Sequence, residues 1–225
     1  MKLQFVPLLR LQRDLYTIPR GMSRFHEYIA TMVDASSGDL KLPLTAMNPM
    51  GKEHVPALLD GWIALDADDI ASRAVTDAEC QLGQVPGEFQ VCLVIADDAK
   101  GTWTNRYFAD FGHRFQSKPY HRRGWLTGIL WTSDLPSGDA AREAALTTVY
   151  RGAYIEQHGY AQTLRDMMAQ EGYAMANAGC ASPSLAPDDL DYTREALAHH
   201  LDSTARATIL GPHGRHIRTV SAHNA

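Results

Sequence analysis

The chain has 225 residues, of which 45% are hydrophobic and 21% charged, the make-up of a globular protein that can build its own core. A net charge of −5, from 21 basic and 26 acidic side chains, argues against nucleic acid or an anionic membrane surface as partner. The three cysteines, Cys80, Cys92 and Cys180, form no CxxC pair, which excludes a disulfide framework or a zinc ribbon and suits a reducing, cytoplasmic setting.

The first ten residues carry only a short apolar patch, too brief for a signal-peptide core, and no run approaches the ~18 apolar residues of a membrane span. A short helix is predicted from Leu8 to Leu15, stopped before Pro19. Ser23 reads as the cap of the next helix, whose stripe is Phe25, Ile29, Met32 and Val33. Residues 40–47 are short and apolar and predict a strand, placed at a sheet edge by Pro43. Asn48-Pro49-Met50-Gly51 turns the chain into a helix over 52–65. A second helix follows, capped by Asp66 or Asp68, with Ile70, Ala74, Val75, Ala78 and Leu82 on one face.

Residues 88–96 give the clearest strand, an almost unbroken apolar run that both faces of a sheet must cover. Trp103, Tyr107, Phe111 and Phe115 recur every fourth residue and predict a helix whose aromatic stripe meets the core. A strand follows at 125–132, then helices over 140–157, 161–178 and 188–201. After Asp202 there are no acidic residues, only Arg206, Arg215 and Arg218 with His213, His216 and His223 among glycine and proline. The expected fold is α/β: a small, mostly parallel sheet of three to four strands near 40–47, 88–96 and 125–132, covered by helices, with α+β as the alternative. One domain is expected over 1–203, followed by a basic, histidine-containing tail over 204–225.

The candidate chemistry centres on Asp97-Asp98. In open α/β sheets ligands bind beyond the carboxyl ends of central strands, where loops vary while the sheet stays rigid. Carboxylates there can serve as general base or hold a divalent metal, although Asp is also a common turn former. Arg106, Asp110 and His113 share a face of the helix that follows, as a polarising pair or an ordinary ion pair. His121-Arg122-Arg123 precedes the last strand and suits a small anion, or simply balances nearby acids. Tyr150, Tyr154 and His158 share one helix face, where His158 can also complement the helix dipole. Gly51-Lys52 lacks the spacing of a nucleotide-binding P-loop, which leaves His54 on the following helix as an additional candidate.

These residues lead to three expectations. The first is an enzyme acting on a small polar or anionic substrate, a metal-assisted hydrolase or lyase. In it, Asp97, Asp98, His113 and His121 are catalytic, Asp97, His113 and His121 hold a divalent metal, and Arg106, Arg122, Arg123, Tyr150 and Tyr154 bind substrate. It requires the four catalytic groups to converge on one pocket. The second is a non-catalytic module, with Trp62, Trp103, Trp125, Trp131 and Met167, Met168 and Met175 lining a small-molecule or partner groove. The third is a homo-oligomeric scaffold assembled through helices 140–178.

Overall fold

The apolar run at 88–96 forms the middle strand of a three-stranded parallel sheet in the computed structural model, which describes residues 1–99, 105–182 and 184–204. Strand β1 is Lys2–Phe5, β2 is Glu88–Ala96 and β3 is Trp125–Trp131, in the order β1-β2-β3. Lys2 lies beside Glu88 and Phe5 beside Val91, while Gln90 pairs with Trp125 and Ala96 with Trp131. Every residue from Val91 to Ala96 is at most 1% exposed, as its apolarity demands of a strand covered on both faces.

Between β1 and β2 come α1 (Leu9–Leu15), α2 (Met22–Met32), α3 (His54–Ala64) and α4 (Ala67–Gln81). Between β2 and β3 come α5 (Arg106–Phe115) and the single turn α6 (Lys118–His121). The chain continues through α7 (Gly138–His158), α8 (Leu164–Ala178) and α9 (Pro187–Ala198). Helix α7 packs on β3 and β2 and against α4 and α8, while α1 packs on β2 and α3. The fold is α/β, with helices on a small parallel sheet. Helix α7 can lie close to β3 because the strand has a glycine at the crossing. A Cβ on Gly128 would sit 2.6 Å from the carbonyl oxygen of Ala144.

Two expectations need correction. Residues 40–47 form no strand; Leu44–Ala46 make a 3-10 turn, and Leu40 joins Val33 only in an isolated antiparallel bridge. Leu44 and Met47 are buried, so the apolarity of this segment serves the core rather than a ladder. The first strand is instead β1, whose alternating Lys2-Leu3-Gln4-Phe5 was passed over as a terminal patch. The aromatic stripe of α5 also fails in part: Phe111 is buried, but Tyr107 is 71% exposed, and Trp103 lies outside the described residues. The tail from residue 205 onward lies outside them too. No helix among the described residues is long and apolar enough to cross a membrane.

Strand β1 stops alongside Val91, which leaves the upper half of β2 without a strand on that side. Gln12 of α1 takes over there. Its Nε2 donates to the carbonyl of Leu93 at 2.9 Å, and its Oε1 accepts from the amide of Ile95 at 2.9 Å. One fully buried side-chain amide thus stands in for the next peptide group of β1.

A second long-range polar contact holds the start of α1. Its N-cap, Leu8, has no side-chain acceptor, and Asp68 of α4 accepts from the Leu9 amide at 3.1 Å instead. The other oxygen of Asp68 is buried without a partner, and burial lifts its pKa from 3.8 to about 6. A carboxyl whose folded pKa is raised favours the fold at low pH, and that contribution is lost as pH rises through the folded value. Asp68→Asn is therefore expected to be more stable than the parent near pH 8 by ~1–2 kcal/mol, after discounting for partial exposure. The gap should close toward about pH 4, where the unfolded-state carboxyl also protonates. Urea titrations at both pH values measure it, and an equal difference at the two would refute the assignment.

Candidate functional site

The chain leaves β2 at Ala96 and presents Asp97 and Asp98 at the carboxyl end of the sheet. Asp97 is 1% exposed and lies among donors from three separate segments. His54 Nε2 is 2.8 Å from its Oδ1, Thr132 Oγ1 is 3.0 Å from the same oxygen, and Asn48 Nδ2 donates to Oδ2 at 3.2 Å.

Each donor is placed by local chemistry. Asn48 closes a side-chain turn by accepting from the Met50 amide at 3.0 Å, and its carbonyl accepts from the Gly51 amide at 3.0 Å. Tyr16 donates to that carbonyl at 2.6 Å, and the buried guanidinium of Arg24 ties the carbonyls of Tyr16, Ile18, Pro49 and Gly51. Burial first and the charge of Asp97 second push the Tyr16 phenol well above its ordinary pKa, so it stays a donor. This clasp delivers the chain into α3, whose first residue is His54.

Thr132 directly follows β3 and extends the ladder, donating its amide to Ala96 O at 3.0 Å. Its hydroxyl oxygen accepts from the amides of Asp98 and Ala99 at 3.0 and 3.1 Å. Asp98 is held by Ser133, through the amide at 2.9 Å and the hydroxyl at 2.7 Å. Arg106 makes a two-pronged pair with Asp134 at 2.8 and 2.9 Å, lies 3.6 Å from Asp98, and rests over the Trp131 ring at 5.1 Å. Its guanidinium is thus paired with acids of the rim and packed on an aromatic ring.

The chemistry on offer follows from the His54–Asp97 pair. A carboxylate only accepts, so the Nε2 that meets it carries the imidazole proton, and Nδ1 presents a lone pair. The Nδ1 of His54 has no hydrogen-bond partner among the described residues, and it is not one of their buried unpaired polar atoms. The side chain is 15% exposed. An imidazole of this exposure, backed by a buried carboxyl, can take and return a proton while the carboxyl stabilises the imidazolium.

The predicted site residues fall in two places. Asp97, Asp98 and Arg106 meet at the carboxyl rim; His113 and His121 lie at the other end of the sheet. His121 stacks on Phe89, near the start of β2, at 4.7 Å. His113 and His121 line a cavity of about 20 Å³ with Trp125, the first residue of β3. From the Gln90–Trp125 level to the Ala96–Trp131 level is six residue steps, about 20 Å at ~3.3 Å per step. Asp97, His113 and His121 are thus not brought together as metal ligands. Among the described residues no group of three or more His, Cys, Asp or Glu is arranged to hold a metal ion. Burial holds the pKa of both His113 and His121 below the ordinary imidazole value.

The predicted substrate binders also disperse. Arg123 pairs with Asp39 at 2.7 Å and Arg122 is exposed, both at the amino end of β3. Tyr150 is buried and donates to Gln81 at 2.7 Å, while Tyr154 packs against His158 at 4.4 Å and Tyr173 at 5.5 Å, so both tyrosines join helices. Trp62, Trp125 and Trp131 are core, which removes them as walls of a groove.

Asn48, Tyr16, Thr132 and Ser133 were not predicted, and His54 only as an addition. A signal for two of them was present. In a parallel sheet the residues after each strand share one rim, so Thr132-Ser133 had to join Asp97-Asp98, and His121 ahead of β3 had to lie opposite. Comparison of the chain with protein-family models, with curated proteins and with solved structures finds no match, so the site stands on its own geometry.

Proposed function

We propose that the protein is an enzyme of the hydrolase or lyase type that uses His54, oriented by Asp97, as a general acid–base on a small polar or anionic substrate. The observation that carries this reading is the 2.8 Å pair between a nearly solvent-sealed carboxyl and a partly exposed imidazole whose second nitrogen has no hydrogen-bond partner among the described residues. His54 Nδ1 would take a proton from water or a substrate hydroxyl and return it to the leaving group. Asp97 keeps the proton on Nε2 and offsets the positive charge that develops on the ring. Thr132 and Asn48 hold the carboxyl so that it need not reorganise.

Purified protein assayed on small carboxylic and phosphate esters and hydroxy acids is the test. A general base of this kind contributes about 100-fold or more, so His54→Gln should lower kcat by at least that factor while the circular dichroism spectrum is kept. Asp97→Asn should lower kcat as well, since an amide can favour the wrong tautomer. Nitrogen NMR of the imidazole reads the tautomer directly, with the proton expected on Nε2. A proton resident on Nδ1, or turnover indifferent to His54→Gln, would rule the proposal out.

A further inference from the structure

A second constellation occupies the opposite end of the sheet and does not depend on the His54–Asp97 pair. An open cleft of about 390 Å³, within the size range of small-molecule sites, is lined by residues that include Phe111, Phe115, Lys118, Tyr160 and Met167. Tyr160 separates this cleft from the buried His121: the phenol oxygen is 3.0 Å from His121 Nδ1 and the rings meet edge to face at 5.8 Å. On the far side, His121 Nε2 faces Glu156 at 3.5 Å. That nitrogen is nevertheless buried without a hydrogen-bond partner, so the Tyr160 contact at Nδ1 is the hydrogen bond that ties the imidazole. The phenol is thereby held against the imidazole, and its ring forms a wall of the cleft.

Recognition of charge must then come from elsewhere in the cleft. The Lys118 ammonium lies 5.2 Å from the Tyr160 ring centroid and forms no ion pair among the described residues. Arg122 and Glu156 act on Tyr160 in opposite senses, and neither lines the cleft. No carboxylate is among the described residues that line the cleft. Aromatic walls, a thioether and one lysine without an ion pair among the described residues define one ligand chemistry.

We propose that this cleft binds a small aromatic carboxylate, its ring held by Phe115 and Tyr160 and its anionic group by Lys118. The test is NMR titration of the intact protein with naphthoate and, in parallel, with uncharged naphthylmethanol. Naphthoate should bind saturably, shift the signals of Tyr160 and His121, and outcompete the alcohol. Lys118 is exposed, so Lys118→Gln should leave the fold intact while weakening naphthoate about tenfold, a loss of ~1.4 kcal/mol, without changing the alcohol. Phe115→Ala should weaken both, and His54→Gln neither. Equal binding of acid and alcohol, naphthoate affinity unchanged by Lys118→Gln, shifts confined to residues away from Tyr160 and His121, or no saturation at millimolar ligand would each overturn the assignment.

Discussion

Replacing Gln12 with leucine is expected to lower folding stability by about 3 kcal/mol, read as a drop in the urea midpoint at unchanged slope. Leucine fills nearly the same volume, so little of this loss would come from a cavity. The loss comes from the Leu93 carbonyl and the Ile95 amide, which Gln12 satisfies at 2.9 Å each inside a fully buried setting. Left alone, each costs about 1–3 kcal/mol, because water cannot reach them. Gln12→Glu separates the two explanations. It keeps shape and the acceptor for Ile95 but sets a carboxylate oxygen against the Leu93 carbonyl, so it should be as damaging near neutrality and recover partly when acid protonates it. A leucine variant within about 1 kcal/mol of the parent would mean that the edge of β2 is satisfied in another way.

Gly128→Ala is expected to be comparably severe, at about 3 kcal/mol or more, for a reason of space rather than polarity. The added carbon would meet the Ala144 carbonyl oxygen at 2.6 Å and its carbon at 2.9 Å, with a Leu93 methyl also at 2.9 Å. Backbone cannot rotate away as a side-chain tip can, so α7 must lift from β3. Gly172→Ala in α8 is the matched control, since nothing lies within 4 Å of its new carbon. That change should instead stabilise by about 0.5–1 kcal/mol, by restricting the unfolded chain. Equal denaturation midpoints for the two variants would refute the close-packing argument.

How far these features could be read in advance depended on whether the deciding contact was local. Strands β2 and β3 were legible because burial on both faces imposes an unbroken apolar run, as Val91–Ala96 shows. Helices α7 and α8 were legible as the long segments 140–157 and 161–178, although the Thr163 capping box that starts α8 three residues later than expected was not read. Strand β1 was not, since four residues of alternating polarity carry almost no periodic signal. Residues 40–47 misled because an apolar segment looks the same whether it joins a ladder or fills a core. The two aspartates were legible from their place after a central strand, whereas His54 reaches Asp97 across 43 positions and had no local mark. Joining His113 and His121 to them overlooked strand direction, which carries residues ahead of a parallel strand to the far end.

The segment between Asp98 and Arg106 departs from and returns to one short stretch of chain. Asp98 is fastened to Thr132 and Ser133, and Arg106 to Ser133 and Asp134. The end of β2 and the start of α5 therefore share one footing beside the His54–Asp97 pair. A change at Ser133 would therefore loosen Asp98 and Arg106 together, since its hydroxyl meets them both.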